Sequence, residues 1–215
     1  MKRINIISLG GISRIALEIL SDRVSNRNIY IYDDNPAIQG AVFNNVKVVG
    51  KLNDLINLPK GDYYFNGIGN YDLYKMRISL SKDLVNKGAI GYTVQHVSSI
   101  ISDSALIGSG SFISVNVNVG YKSTIGSDCV LFSNSTIEHE SHLGKLTYIS
   151  PGVIICGKVR IGNYCYIGPG AIISAGITIG DKCIIGAGSV VLNDIPDSTF
   201  AYGNPARIIN KNNLW

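Results

Sequence analysis

The sequence predicts a two-part chain: a small α/β domain over residues 1–96, then a parallel β-helix of hexapeptide repeats over 97–215. Three observations carry this. An aliphatic residue stands at every sixth position from Ile101 to Val191, sixteen in succession without a slip. Four residues after each comes a second series of mostly small side chains, among them Ala105, Ser111, Ser123, Cys129, Cys165 and Ser189. Ahead of the repeat, strand-like apolar runs alternate with helical ones. A period of six fits neither a helix nor an alternating strand and marks a solenoid. Alternating strands and helices give a parallel α/β sheet.

The first strand is Ile4–Leu9, followed by Gly10-Gly11 and a helix through Ile15, Ala16, Ile19 and Leu20 that Ser13 is placed to cap. A second strand, Ile29–Asp33, ends in Asp33-Asp34-Asn35-Pro36. A turn-rich stretch leads to Val46–Gly50, and a short helix is expected over Leu52–Leu58. The third strand, Tyr63–Asn66, closes on Gly67-Ile68-Gly69-Asn70. A helix over Asp72–Asn86 stops at Lys87-Gly88, and Ala89–Thr93 is the last strand.

Ligands of open α/β sheets bind beyond the C-terminal ends of the strands. The Gly10-Gly11 turn presents amides at a helix start, which favours an anion such as phosphate. Asp33 and Asp34 can accept hydrogen bonds from a ribose or a base, and Gly69-Asn70 allows close backbone approach. Each feature alone equally describes a tight or solvated turn. Three on one sheet edge point to a ligand.

In the repeat, each hexad supplies one short strand and one corner of a prism. The aliphatic residue points inward, the residue four places on shares the narrow interior and must be small, and coils pair through the main chain. Gly follows the aliphatic residue in eight of sixteen hexads, where it is expected to relax strain at the corner. Both ends of such a stack need covering.

Composition narrows the function classes. Residues 101–191 carry five basic and five acidic side chains, with no basic stripe interleaved with aromatics, which argues against nucleic acid. So little charge suits faces that pack against other subunits. The net charge of +4 suits a small phosphate-bearing ligand. No apolar run reaches the roughly 18 residues of a membrane span. The run after Met1-Lys2-Arg3 is broken by Asn5, Ser8 and Gly10-Gly11, so it reads as a strand and not as a signal peptide; a cytoplasmic protein is expected. Cys129, Cys165 and Cys183 fall on interior positions and Cys156 follows an interior Ile, with no CxxC or zinc spacing. They read as reduced core residues, and no metal is expected.

Three histidines remain: His96, His139 and His142. His96 lies in the joint between the domains and reads as structural. His139, two residues after interior Ile137 and between Glu138 and Glu140, should face outward. An outward histidine beside carboxylates can serve as a general base; the same spacing also suits a solvated surface histidine.

Taken with Ser8-Leu-Gly-Gly-Ile-Ser13, Tyr32-Asp-Asp34, Gly67-Ile-Gly-Asn70, Ser135-Thr-Ile-Glu-His-Glu140, Ile149-Ser-Pro-Gly152 and Gly203-Asn-Pro-Ala-Arg207, the whole chain resembles the bacterial nucleotide-sugar N-acetyltransferases. These are hexapeptide-repeat acyltransferases of the sialic acid O-acetyltransferase NeuD and UDP-4-amino-sugar acetyltransferase type. The resemblance implies a Rossmann-like domain joined to a left-handed β-helix, acetyl-CoA as co-substrate, a homotrimer, and a role in lipopolysaccharide or other surface-glycan synthesis. It implies that His139 is the catalytic base and that Glu140 raises its basicity. Gly11, Ile12, Ser13, Asp33, Asp34 and Gly69 match positions that hold the nucleotide-sugar. Tyr148, Gly157, Pro169 and Ala187 match positions along acetyl-CoA, which lies between the β-helices of adjacent subunits, with the Gly203–Arg207 tail nearby. The glycine loop departs from the family's Gly-x-Gly/Ser-Gly-His-Gly at Ile12, Ser13 and Arg14, so the bulk of Ile12 is expected to alter the seat of the sugar or diphosphate. Many relatives carry His where this chain has Tyr148.

The implied activity is transfer of acetyl from acetyl-CoA to the amino group of a nucleotide-linked 4-amino-4,6-dideoxy sugar. Two alternatives stay open on the sequence: an O-acetyltransferase acting on a sialic acid or related sugar, and a trimeric binding or scaffold protein. The second leaves the paired Asp and glycine turns without a purpose. The incomplete glycine fingerprint disfavours a nicotinamide dehydrogenase.

Overall fold

The computed structural model of the chain describes residues 2–21, 28–69 and 73–211. It divides into two compact units, Met1–Val94 and Gln95–Trp215.

The first unit is a six-stranded sheet of β1 (Ile4–Ile7), β2 (Ile29–Tyr32), β3 (Val42–Phe43), β4 (Val46–Gly50), β5 (Tyr63–Asn66) and β6 (Ile90–Gly91) in the order β3-β4-β2-β1-β5-β6. All neighbours are parallel except β3 and β4. Helices α1 (Gly11–Ser21) and α2 (Tyr74–Asn86) and a 3₁₀ helix at Leu52–Asn57 make the crossovers. Ile4, Ile6, Ile7, Ile29 and Ile31 are buried, as strands of a covered parallel sheet require.

One local reading, that of Ser13, is corrected here, and two other segments are defined further. Val46–Gly50 is a strand, paired in a hairpin with Val42–Phe43, and the two-residue turn is Asn44-Asn45, both at positive φ (47° and 61°). Asn accepts that region more readily than most residues, and two such residues make the tight turn that strand twist favours. Helix α1 starts at Gly11, so Ser13 lies inside its first turn. Instead of capping, Ser13 is fully buried and donates from Oγ to the Ser8 carbonyl (2.5 Å). Helix α2 begins at Tyr74; the expected start at Asp72 lies outside the described residues.

The second unit is a left-handed parallel β-helix with an 18-residue coil of three hexads, seen in pairings such as Val119 with Ile137 on one side and Ile101 on the other, each eighteen residues away. Its first face carries the strands Phe112–Ile113, Val130–Leu131, Tyr148–Ile149, Tyr166–Ile167 and Ile184–Ile185. The second carries Thr136–Ile137, Ile154–Ile155, Ile172–Ile173 and Val190–Val191, and the third Thr124–Ile125, His142–Leu143, Arg160–Ile161 and Thr178–Ile179. The aliphatic series forms the core: Ile113, Leu131, Ile149, Ile167 and Ile185 are fully buried. The small series does more than fit. Cys129, Ser141, Thr147 and Cys165 donate to the carbonyls of Gly144, Cys156, Gly162 and Gly180, each fifteen residues on in the next coil. Ser, Thr and Cys recur inside because they satisfy corner carbonyls that the strand ladder leaves over.

The glycine at the first corner position has a different purpose from the one expected. Its φ is negative or otherwise ordinary; the left-handed residue falls two places later, at Lys122, Asp128, Asn134, Glu140, Lys158 and Lys182 among others. The reason for glycine is close approach. A Cβ on Gly126 would lie 2.5 Å from the Lys145 amide nitrogen of the next coil.

At the C-terminal end, Thr199–Gly203 pairs with Ile184–Ile185 and turns through a cis Asn204–Pro205 bond into Ala206–Lys211, with Ala201 buried against the last coil. This hairpin covers that end of the stack.

Candidate active site

Strands β2, β1 and β5 are neighbours in one parallel sheet, so the turns after them share one edge. That edge brings together Gly11, Ile12, Ser13, Asp33, Asp34 and Gly69. Asp33 ties two of the turns: one carboxylate oxygen accepts from the Leu9 amide (2.7 Å) and the other from Asn35 (2.8 Å). Asp34 accepts from the Leu52 amide (2.9 Å). Both carboxylates therefore order backbone, and each keeps lone pairs for a further donor. Asp34 also lines a cavity of about 250 Å³ with Leu52, Leu55, Met76, Leu80 and Lys87. Gly67 packs so tightly on Ser13 that a Cβ would overlap its hydroxyl. The Ile12 side chain is buried in the core of the unit (2% exposed) and does not line the edge. The expectation that its bulk alters the ligand seat is thereby corrected: as the second residue of α1 it turns inward, and only its backbone faces the turn. Asn70 lies outside the described residues.

Two features of this edge escaped the sequence reading. Arg14 reaches back along α1 to the Leu9 carbonyl (3.3 Å), with its guanidinium 4.9 Å from the centre of the Phe43 ring. Arg77, almost wholly buried, donates to the carbonyls of Asn66 and Ile68 (2.5 and 3.0 Å) and fixes the turn after β5. Asn66 completes the network, donating to the Arg77 carbonyl and to Ser81 Oγ and accepting from the Ile68 amide. A charged residue on a helix gives no sequence sign that it points inward.

The second group lies on the β-helix, at the corner between its second and third faces. His139 and Glu140 have half-exposed side chains (51% and 48%), and His139 Nδ1 is 3.3 Å from Glu140 Oε2. A carboxylate only accepts, so Nδ1 is the donor of this hydrogen bond. Glu140 is the left-handed corner residue (φ 57°), and its amide donates to the Tyr121 carbonyl one coil back. The Lys158 amide donates to the His139 carbonyl one coil on, and Lys158 Nζ is 4.0 Å from Glu140 Oε2. The backbone under the pair is thus bonded to both neighbouring coils. Gly157, eighteen residues after His139, stands beneath the imidazole. A Cβ there would lie 2.4 Å from Nε2.

The remaining predicted positions lie apart from His139 within the chain. Pro169 and Ala187 are exposed and occupy equivalent places on successive coils, at the corner between the first and second faces. Tyr148 is buried on the first face, stacked on Tyr166 (centroids 5.0 Å apart) and beside Phe132 (5.5 Å). His142 contacts Thr124 Oγ1 on the third face, and His96 Nδ1 is 2.8 Å from Ser98 Oγ. Among the described residues, no cluster of three or more His, Cys, Asp or Glu could hold a metal ion, and no helix is long and apolar enough to cross a membrane.

The bacterial transferase hexapeptide (six repeats) family model matches residues 140–174 and 158–193. Solved structures are similar from end to end. PerB from Caulobacter crescentus, in complex with CoA and GDP-perosamine, is 28% identical over 98% of both chains, with a TM-score of 0.84. A histidine-to-alanine variant of GDP-perosamine N-acetyl transferase from Caulobacter crescentus, with the same two ligands, is 27% identical over 98% of both chains (TM-score 0.85). The acetyltransferase domain of PglB from Neisseria gonorrhoeae FA1090, in complex with acetyl coenzyme A, is 26% identical over 97% of this chain and 99% of that one (TM-score 0.84). No curated protein sequence matches significantly.

Proposed function

We infer that the chain belongs to the hexapeptide-repeat nucleotide-sugar N-acetyltransferases. It is an acetyl-CoA-dependent enzyme that acetylates the amino group of a nucleotide-linked amino sugar. The observation that carries this is the end-to-end likeness of both units to an N-acetyltransferase that binds CoA and GDP-perosamine.

In the proposed mechanism His139 is the base. The neutral sugar amine attacks the thioester carbonyl, forming the C–N bond and a tetrahedral oxyanion. Nε2 of His139 takes the proton from the nitrogen while Nδ1–H stays on Glu140, and collapse of the intermediate breaks the C–S bond. The proton then passes to the departing thiolate. General-base help of this kind is worth roughly 10²–10⁴-fold. Coil amides would stabilise the oxyanion. A 4-amino group on a sugar ring is less basic than lysine, which eases its arrival as the neutral amine.

The finer assignments belong to the same proposal. Gly11, Ile12 and Ser13 offer backbone amides to the diphosphate, and Asp33, Asp34 and Gly69 hold the nucleoside; this reading rests on their shared sheet edge. Acetyl-CoA lies along Pro169 and Ala187, whose small uncharged side chains suit a pantetheine arm, with Gly157 near the thioester and Tyr148 toward the donor. Pro169 and Ala187 occupy a different prism corner from His139. A ligand meeting both sets is held most simply between two chains, which supports a homotrimer. The second face, between those corners, exposes Ile100, Ile154 and Ile172, as a face buried between subunits would. A cytoplasmic enzyme using a 4-amino-4,6-dideoxy sugar for surface-glycan synthesis fits these substrates.

The test is CoA release on mixing the protein with acetyl-CoA and each of GDP-, UDP- and dTDP-4-amino-4,6-dideoxy sugars. Turnover with at least one is expected. No turnover and no thermal shift with any of them would overturn the reading.

A further inference from the structure

We propose that Gly157 is a positioning residue for His139: the absent Cβ is what allows the imidazole to lie against the next coil with Nδ1 on Glu140 and Nε2 open. The inference rests on the reading of His139 as the base and goes beyond it by naming the residue that sets the ring's pose.

The argument is steric. The coil length is eighteen residues, so the outward position of one coil lies directly over the same position of the next, and the column through His139 reads Tyr121, His139, Gly157, Ala175. Built on the Gly157 backbone, a Cβ would stand 2.4 Å from His139 Nε2, 2.6 Å from Cε1 and 3.0 Å from Cδ2. All three atoms belong to the ring edge that carries the accepting nitrogen. Contacts that short do not persist, so any side chain at 157 forces the ring to turn. The backbone cannot yield in its place, because the Lys158 amide is bonded to the His139 carbonyl and the Gly157 carbonyl accepts from Gly176 one coil further on. A turned ring loses the 3.3 Å contact with Glu140. Glycine is not required here by conformation, since Gly157 is absent from the positive-φ residues and the left-handed corner is Lys158. Alanine is therefore compatible with the backbone and incompatible with the ring.

Gly157→Ala is the test, with Gly157→Ser beside it. Both should fold, keep the wild-type oligomeric state, and bind nucleotide-sugar with a KM within about twofold of wild type. Their kcat should fall tenfold or more. Nitrogen-15 NMR of the imidazoles, which needs no turnover, should show His139 as the Nδ1–H tautomer in the wild type and as a mixture in Gly157→Ala. Wild-type kcat and an unchanged His139 tautomer in both variants would overturn the inference while leaving the proposed reaction standing. A raised acetyl-CoA KM at unchanged kcat would also overturn it, since the glycine would then serve the co-substrate alone. Failure of the wild type to acetylate any amino sugar would overturn the parent reading, which the tautomer measurement keeps separate.

Discussion

His139 differs from the other two histidines in how its ring is used. His142 and His96 are engaged by hydroxyl side chains, whereas His139 has a carboxylate on Nδ1 and its other nitrogen facing a glycine. His139→Ala should lower kcat about 10²-fold or more and leave both KM values nearly unchanged, because the lost proton transfer belongs to the transition state. Wild-type turnover in steady-state kinetics would remove His139 from the mechanism. Asp33 and Asp34 differ in their backbone duties, since Asp33 holds two amides and Asp34 one. Asp33→Ala should cost roughly 1–3 kcal/mol in denaturant unfolding, as two amide donors lose a charged partner. Asp34→Ala should raise the nucleotide-sugar KM without moving that of acetyl-CoA. If both substrates bind normally after either change, the sugar site lies elsewhere. At this scale the sequence revealed residue types and their order, which place His139 on an outward position. It could not reveal side-chain direction: Ile12 and Ser13 turn inward, and Arg77 is buried under the turn it holds.

Among the elements, the hexad is the most legible, because every coil repeats one packing problem and the repeat writes the solution sixteen times. What it obscured is why each small residue recurs. The corner glycine suggests conformational relief, yet the structure puts positive φ two positions later and uses the glycine for contact between coils. Gly126→Ala should therefore destabilise by about 1–3 kcal/mol through overpacking. Lys182→Gly should be neutral to slightly stabilising, since relief of about 1–2 kcal/mol of left-handed strain outweighs or matches about 0.5–1 kcal/mol of added chain entropy. Equal melting temperatures for Gly126→Ala and the wild type would refute this division of labour. The interior thiols give a second check. Cys165 is fully buried, burial pushes its pKa well up, and its Sγ–H donates to the Gly180 carbonyl. Little thiolate forms there at neutral pH, and Cys129 and Cys183 are as inaccessible as Cys165. All three should resist iodoacetamide in the folded protein, and rapid labelling would contradict the register. The hairpin at Val42–Gly50 was less legible. Its turn is Asn-Asn instead of the Asn-Gly that announces a two-residue turn most clearly, and its first strand has only two residues.

For the whole molecule, the alternation of strands and helices followed by an unbroken hexad repeat was enough to read the fold class. The distribution of the candidate site was not legible, because it depends on which prism corner each hexad occupies. That follows from the three-hexad coil, which separates Pro169 and Ala187 from His139 by one face. A homotrimer built through the second face should give a light-scattering mass near three times the 23.1 kDa of the chain at micromolar concentration. A monomeric mass would leave the two halves of the proposed acetyl-CoA site apart. The central claim is that acetyl moves to nitrogen, and the most direct measurement is the structure of the product. The protein is incubated with acetyl-CoA and a nucleotide-4-amino-4,6-dideoxy sugar, and the product is analysed by mass spectrometry and NMR before and after mild alkali. The account predicts a single acetyl group on the 4-nitrogen, stable to alkali, whose formation depends on His139. An alkali-labile acetyl ester on a sugar hydroxyl, or an unmodified sugar in the presence of intact enzyme, would contradict it.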